Sequence, residues 1–414
     1  MRFKQFSLKY NKNDKLCEVS ADNFSFFENE DVCLEFIWED VYDDKRYKVH
    51  LTPKDSIELV AFSIYTHFDY TPTKNVFCNG YQSWTETKLF EQHEKINKQR
   101  RLFNKIGEAY GDGTFFNHKN KKGIFHSWTY TYITEAKRKI FFLGALNDDN
   151  GFTIFEHNTK KNELQISKDC KGLNVSSAII LIDIFSSNAY EWMCFQNYFQ
   201  LQNLSPIAAK PAIGWTSWYN YYTSISEKII EDNLTAFAKN NIPIDIFQID
   251  DGWQQAVGDW LNINSKFPNG LTPIVNKIHQ QNCKAGLWLA PLTCEQNSFI
   301  VKEKPHWILK NEKGENLKIG FNPMWSYWFY ALDIYNDEVR TYLKNVFNVI
   351  LQDWKFDLVK LDFLYGNALI PRNGKSRGQI MHETMQFLKA CVGDKMILGC
   401  GVPLSAAKNT TDYC

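Results

Sequence analysis

A chain of 414 residues exceeds what one ordinary hydrophobic core serves, so two or three domains, or one large barrel with a companion, are expected. Hydrophobic residues at 44% and charged residues at 23% are globular values, and 47 basic against 47 acidic side chains leave no net field to steer toward nucleic acid or an anionic membrane; a neutral ligand fits best. The longest apolar stretch, around residues 178–185, is broken by Asp183 and too short to span a bilayer, and the opening residues lack the apolar run of a signal peptide, so a cytoplasmic protein is expected.

From Phe24 to about Phe185, short runs rich in Val, Ile, Phe, Tyr and Thr are punctuated by Asp, Asn, Lys and Gly. Residues 33–38, 47–51, 129–133 and 152–155 are examples, at spacings that suit hairpins, and residues 1–187 read as an antiparallel β-sandwich. The charge run from His93 to Arg101 reads as a solvated face or loop. Trp192, Phe195, Phe199 and Leu201 then recur at near-helical spacing ahead of Pro206 and Pro211, which predicts a linking helix within 188–210.

Beyond Pro211 the period changes. Strands are predicted at 213–218, 244–249, 284–290, 358–361 and 396–400. Between them fall a helix from Ser226 carrying Ile229, Ile230, Leu234 and Phe237, one opened by Thr272 and Pro273, and one around 339–351. Such alternation means parallel strands with crossover helices, in a (β/α)₈ barrel or a doubly wound sheet. No G-x-G-x-x-G follows a strand, which favours the barrel. About five strand-helix units are countable in 211–414, so the barrel is expected to be incomplete. The fold class is therefore an N-terminal β-sandwich followed by a partial (β/α)₈ barrel.

Barrel enzymes place reacting groups where strands end. The run Ile246–Ile249 ends in Asp250-Asp251-Gly252-Trp253, two carboxylates that can accept from vicinal hydroxyls, with an indole to cover a sugar's C–H surface. An Asp-Asp-Gly turn with Trp253 in the core is the plainer alternative. On 358–361, Lys360 and Asp362 share one strand face, so the ammonium should keep Asp362 ionised and nucleophilic; a pair that only plugs the barrel is the alternative. Gly374-Lys375-Ser376 lacks the upstream glycine of a phosphate loop, and no H-E-x-x-H or G-x-S-x-G occurs. No metal or other cofactor is expected. The ten cysteines form no C-x-x-C pair and read as reduced thiols, mostly buried.

Taken together, Gly214-Trp215-Thr216-Ser217-Trp218-Tyr219, the Asp250 turn, Gly258-Asp259-Trp260, Lys266-Phe267-Pro268-Asn269-Gly270, Gly286-Leu287-Trp288-Leu289-Ala290-Pro291 and Lys360-Leu361-Asp362 resemble the α-galactosidases of glycoside hydrolase family 36. Gly80-Tyr81-Gln82-Ser83-Trp84 and Gly399-Cys400-Gly401 extend the resemblance. It implies an N-terminal β-sandwich, a catalytic barrel, a C-terminal β domain and cofactor-free hydrolysis of terminal α-linked galactose with retention. It further implies Asp362 as nucleophile, Lys360 as its sugar-bonding neighbour, and Asp250 and Asp251 as readers of the galactose O4 and O6 hydroxyls. Trp288, Trp218 and Cys400 would wall the pocket. The partner implied is a small carbohydrate, with no nucleic acid and no membrane; homo-oligomers are frequent in the family.

Retention needs a second carboxyl, about 5 to 5.5 Å from the first. The resemblance assigns it to an Arg-x-x-x-Asp segment following residues matched by Thr411-Asp412-Tyr413-Cys414, and no such segment occurs in the sequence. The expectation is a chain truncated inside the barrel and inactive alone, with Asp412 a poor substitute for the acid. A galactosyltransferase of the raffinose-synthase kind and a non-catalytic sugar-binding fragment are the alternatives.

Overall fold

The computed structural model describes residues 3–22, 25–71, 73–97, 112–204 and 210–414; Phe24, Pro206 and the end of the charge run toward Arg101 lie outside them. The chain divides into two compact units, one comprising Met1–Leu204, Ala368–His382 and Pro403–Ala406, the other Ser205–Asn367, Glu383–Val402 and Ala407–Cys414.

The first unit holds two antiparallel sheets among its described residues. One runs in the order Lys15–Asp22, Phe3–Lys12, Ile57–His67, Glu163–Asp169, Phe152–Asn158, Ile124–Trp128, with Leu173–Val175 also pairing on Ile57–His67. The other runs Phe26–Glu28, Val32–Val41, Asp44–Pro53, Ile179–Tyr190, Lys139–Ala145, Tyr130–Thr134, Val76–Cys78, Lys88–Phe90. The alternation that predicts these strands also builds the core, because every second side chain faces the opposing sheet. Phe6, Leu8, Ile64 and Ile166 of one sheet pack with Leu34, Val49, Leu51 and Ile184 of the other, all buried. The predicted linking helix is shorter than 188–210: residues to Tyr190 continue a strand, and the helix is Glu191–Leu201, with Cys194 and Tyr198 buried against the sheet. Trp84 of the Gly80–Trp84 motif is 40% exposed rather than core. The false phosphate loop is structural: Gly374 turns with φ +68°, and Ser376 Oγ donates to Asn150 O at 2.9 Å.

The second unit carries a parallel sheet in strict sequence order: Gly214–Thr216, Ile246–Ile249, Lys284–Leu289, Leu358–Leu361, Met396–Gly399. Parallel strands in chain order place all five carboxyl ends on one side. Crossover helices start where caps and apolar stripes predict. Ser226 Oγ accepts from Ile229 N to open Glu227–Lys239, Pro273 opens Thr272–Gln280, and Asn336 caps Asp337–Asn348. The predicted strand at 213–218 ends early, since Trp218 already begins the short helix Trp218–Tyr221. Two elements were not predicted. Helix Arg377–Val392 buries Ile380, Met381, Thr384, Met385 and Leu388 on one face, at the spacing of an ordinary amphipathic stripe. The stretch between the third and fourth parallel strands forms a small antiparallel sheet of Thr293–Glu295, Tyr327–Ala331 and Lys318–Asn322. All ten cysteines are free thiols, five of them buried. Among the described residues, no helix is long and apolar enough to cross a membrane.

Candidate functional site

Every parallel strand contributes a group at its carboxyl end. Gln248 and Asp250 lie two residues apart on the second strand and so share a face. Asp250 is 1% exposed, and its Oδ2 accepts from Lys360 Nζ at 2.8 Å, Gln248 Nε2 at 2.7 Å and Thr216 Oγ1 at 3.3 Å. Its backbone N–H donates to Ser217 Oγ at 2.9 Å, tying the first strand's end to the second's. The turn that follows requires glycine: Gly252 has φ +116°, and a Cβ there would sit 2.6 Å from Thr223 O.

Asp251 is equally buried, with Oδ1 accepting from Gln254 Nε2 and Oδ2 from Trp325 Nε1, both at 2.7 Å. Burial pushes its carboxyl up to about 6, and the two N–H donors oppose that rise. Trp288 of the third strand is laterally paired with Lys360 of the fourth. Its indole N–H donates to Asp362 Oδ2 at 3.0 Å, while Phe363 N donates to Oδ1 at 2.8 Å. Cys400 is half-buried after the fifth strand, and burial, with the neighbouring Asp362 charge, raises its thiol's pKa.

One expectation needs correction. Lys360 forms its ion pair with Asp250, not with Asp362. Its charge still lowers the Asp362 pKa, but burial outweighs it, so Asp362 is displaced upward rather than held down. Of the two readings left open for Trp253, the core one holds: it is fully buried, with its N–H on Trp288 O at 3.0 Å. Trp288 is only 2% exposed and serves as a hydrogen-bond donor more than as an open wall. Trp218 reaches the same sheet end but stays outside this bonded cluster among the described residues; its ring meets Tyr222, centroids 5.3 Å apart. Asp412 accepts from Ile397 N at 2.9 Å and is thereby committed to the backbone of the fifth strand.

Sequence reasoning missed Gln248, Gln254 and Trp325. Gln248 was legible from strand alternation with Asp250, whereas Trp325 arrives on the inserted antiparallel sheet and carried no local signal. The described residues contain no group of three or more His, Cys, Asp or Glu able to hold a metal ion. The cluster can bind a polyhydroxylated ligand by accepting from hydroxyls, and it can offer a buried, oriented carboxylate to an electrophilic carbon.

Residues 208–390 match the family model described as Melibiase. Among curated proteins, an α-galactosidase of Escherichia coli is 27% identical over 153 residues, covering 35% of this chain and 20% of that protein. Alpha-galactosidase 1 of Pediococcus pentosaceus is 28% identical over 153 residues, covering 34% of this chain and again 20% of the relative. The matched stretch thus spans about a fifth of these relatives. Among solved structures, an α-galactosidase of Thermus thermophilus in complex with stachyose is 25% identical at a TM-score of 0.69, covering 92% of this chain and 77% of that one. The family 36 α-galactosidase AgaA of Geobacillus stearothermophilus, 13% identical at a TM-score of 0.59 over 96% of this chain and 59% of its own, shares the fold. The likeness to family 36 α-galactosidases drawn from the motifs is shown by these matches.

Proposed function

We propose that this chain, with its Melibiase stretch over 208–390, acts on terminal α-linked galactose as part of a retaining glycoside hydrolase, with Asp362 as the nucleophile. The five parallel strands are then the opening portion of a (β/α)₈ barrel, residues 211–414 the catalytic part and residues 1–187 the companion sandwich. The observation that carries this reading is the fixed orientation of Asp362: each carboxylate oxygen holds one N–H donor, from Trp288 and Phe363, and keeps a lone pair for attack. Asp250 and Asp251, orientated by Lys360, Gln248, Gln254 and Trp325, would accept from galactose hydroxyls, while Trp218 and Cys400 would border the pocket.

An Asp362 oxygen would attack C1 as the glycosidic C–O bond breaks, giving a glycosyl ester that water later hydrolyses. The second carboxyl that protonates the leaving oxygen is expected on an Arg-x-x-x-Asp segment, which does not occur among the 414 residues. Free thiols at all ten cysteines support a reducing compartment, and the cytoplasm is the compartment proposed.

A ring-fluorinated α-galactosyl fluoride tests this directly, because fluoride departs without needing a proton. Peptide mass spectrometry is expected to find one sugar ester on Asp362 in the wild type and none in Asp362→Asn, with an unchanged melting temperature. A label on another side chain would overturn the assignment. Stabilisation by galactose with no label anywhere would reduce the protein to a sugar binder.

A further inference from the structure

We propose that Trp325 is a positioning residue for sugar recognition: the hairpin between the third and fourth parallel strands delivers its indole so that the N–H locks the rotation of Asp251 while the ring walls the space beside Asp362. The inference rests on the galactose reading above and deepens it.

Four observations converge. The indole Nε1 lies 2.7 Å from Asp251 Oδ2, a charge-assisted distance, and Gln254 Nε2 holds Oδ1 at the same length. A carboxylate offers about four acceptor positions, so two donors leave one on each oxygen, aimed as a pair, which matches two neighbouring hydroxyls. The Trp325 ring stands edge-on to Phe363, centroids 5.3 Å apart, and 6.1 Å from Trp288, the donor to Asp362. One side chain therefore touches both the carboxylate assigned to hydroxyls and the aromatic wall of the carboxylate assigned to C1.

The hairpin tip is held rather than loose. Ser326 N donates to Glu295 Oε2, Asn297 N to Ser326 Oγ at 2.9 Å, and Met324 N to Asn322 Oδ1 at 3.0 Å. Tyr327 closes the turn with φ +71°, a left-handed conformation that a non-glycine residue adopts only when its surroundings impose it. A tryptophan that merely filled space would need no donor on a buried acid. Around Asp251, burial, Asp250 and Glu295 disfavour the charged form, whereas Gln254, Trp325 and the Lys266 ammonium favour it. Removing the indole N–H should move Asp251 further upward from about 6.

The test compares wild type, Trp325→Phe and Trp325→Ala in the full chain, titrated with free galactose by calorimetry across the pH range that brackets the Asp251 transition. Trp325→Phe keeps the ring and should still unfold cooperatively, with a melting temperature only a few degrees lower for the donor lost from a buried carboxylate, yet bind galactose about tenfold more weakly above that transition. Its acid limb of binding should move upward by roughly one pH unit, a displacement that a purely structural role would not produce. Trp325→Ala should bind more weakly still. Phenylalanine binding within twofold of wild type, with the same acid limb, overturns the inference and leaves the galactose reading standing. A wild type that binds no galactose, although the Trp325 indole N–H resonance still titrates with Asp251, overturns the galactose reading and the inference with it.

Discussion

Replacing Lys360 by methionine should destabilise the parallel-sheet unit by about 3 kcal/mol, the low end of the range for breaking a buried ion pair. The ammonium lies 2.8 Å from Asp250 Oδ2, and Asp250 is 1% exposed, so removing the cation leaves a carboxylate charged in a dry site. The low end applies because Gln248, at 2.7 Å, and Thr216, at 3.3 Å, still donate to that oxygen, and Asp251 N donates to the other at 2.9 Å. For a unit of this size, 3 kcal/mol corresponds to a fall in Tm of roughly 6–12 °C, read by scanning calorimetry. The double variant Asp250→Asn with Lys360→Met removes the surviving charge and should recover more than half of the loss. A fall below about 2 °C in the single variant, or a double variant no better than the single, would show that the pair is solvated and the reasoning wrong.

Asp251 gives a pH signature of known sign. Its carboxyl is raised from 3.8 to about 6 by burial, so between those values the folded protein binds more protons than the unfolded one and stability declines as pH rises through the window. The decline attributable to this group is about 3 kcal/mol, at roughly 1.4 kcal/mol for each pH unit of that window. Urea unfolding at several pH values should show Asp251→Asn lacking that share, and superimposable curves would refute the assignment. Gly252→Ala must either strain a φ of +116° or push the new Cβ away from Thr223 O, 2.6 Å distant. It is expected to cost about 1–3 kcal/mol and to weaken galactose binding at least tenfold by dragging the Asp250-Asp251 turn. Unchanged calorimetric affinity would show that the turn does not set the site.

Much of the architecture was legible because its signals are local. Alternation in residues 33–38 and 47–51 marks strands of a two-sheet core, and Ser226, Pro273 and Asn336 mark helix starts through their own side-chain chemistry. Helix Arg377–Val392 was equally legible, from Ile380, Met381, Met385 and Leu388 on one face, and went unread. Trp253 was left between two readings because an indole after a glycine turn can face either a ligand or the core, and only packing against Trp260 and Trp354 decides which.

The placement of Asp250, Asp251, Lys360 and Asp362 at one end of one sheet was determined by the sequence alone, since parallel strands joined by crossover helices must present their carboxyl ends together. The partners of those groups were decided by tertiary structure. Lys360 reaches Asp250 across 110 positions of chain, Trp325 reaches Asp251 across 74, and Trp288 reaches Asp362 across another 74. Their proton affinities follow from the same packing, because withdrawal from water acts on the assembled site and is not encoded in any single strand.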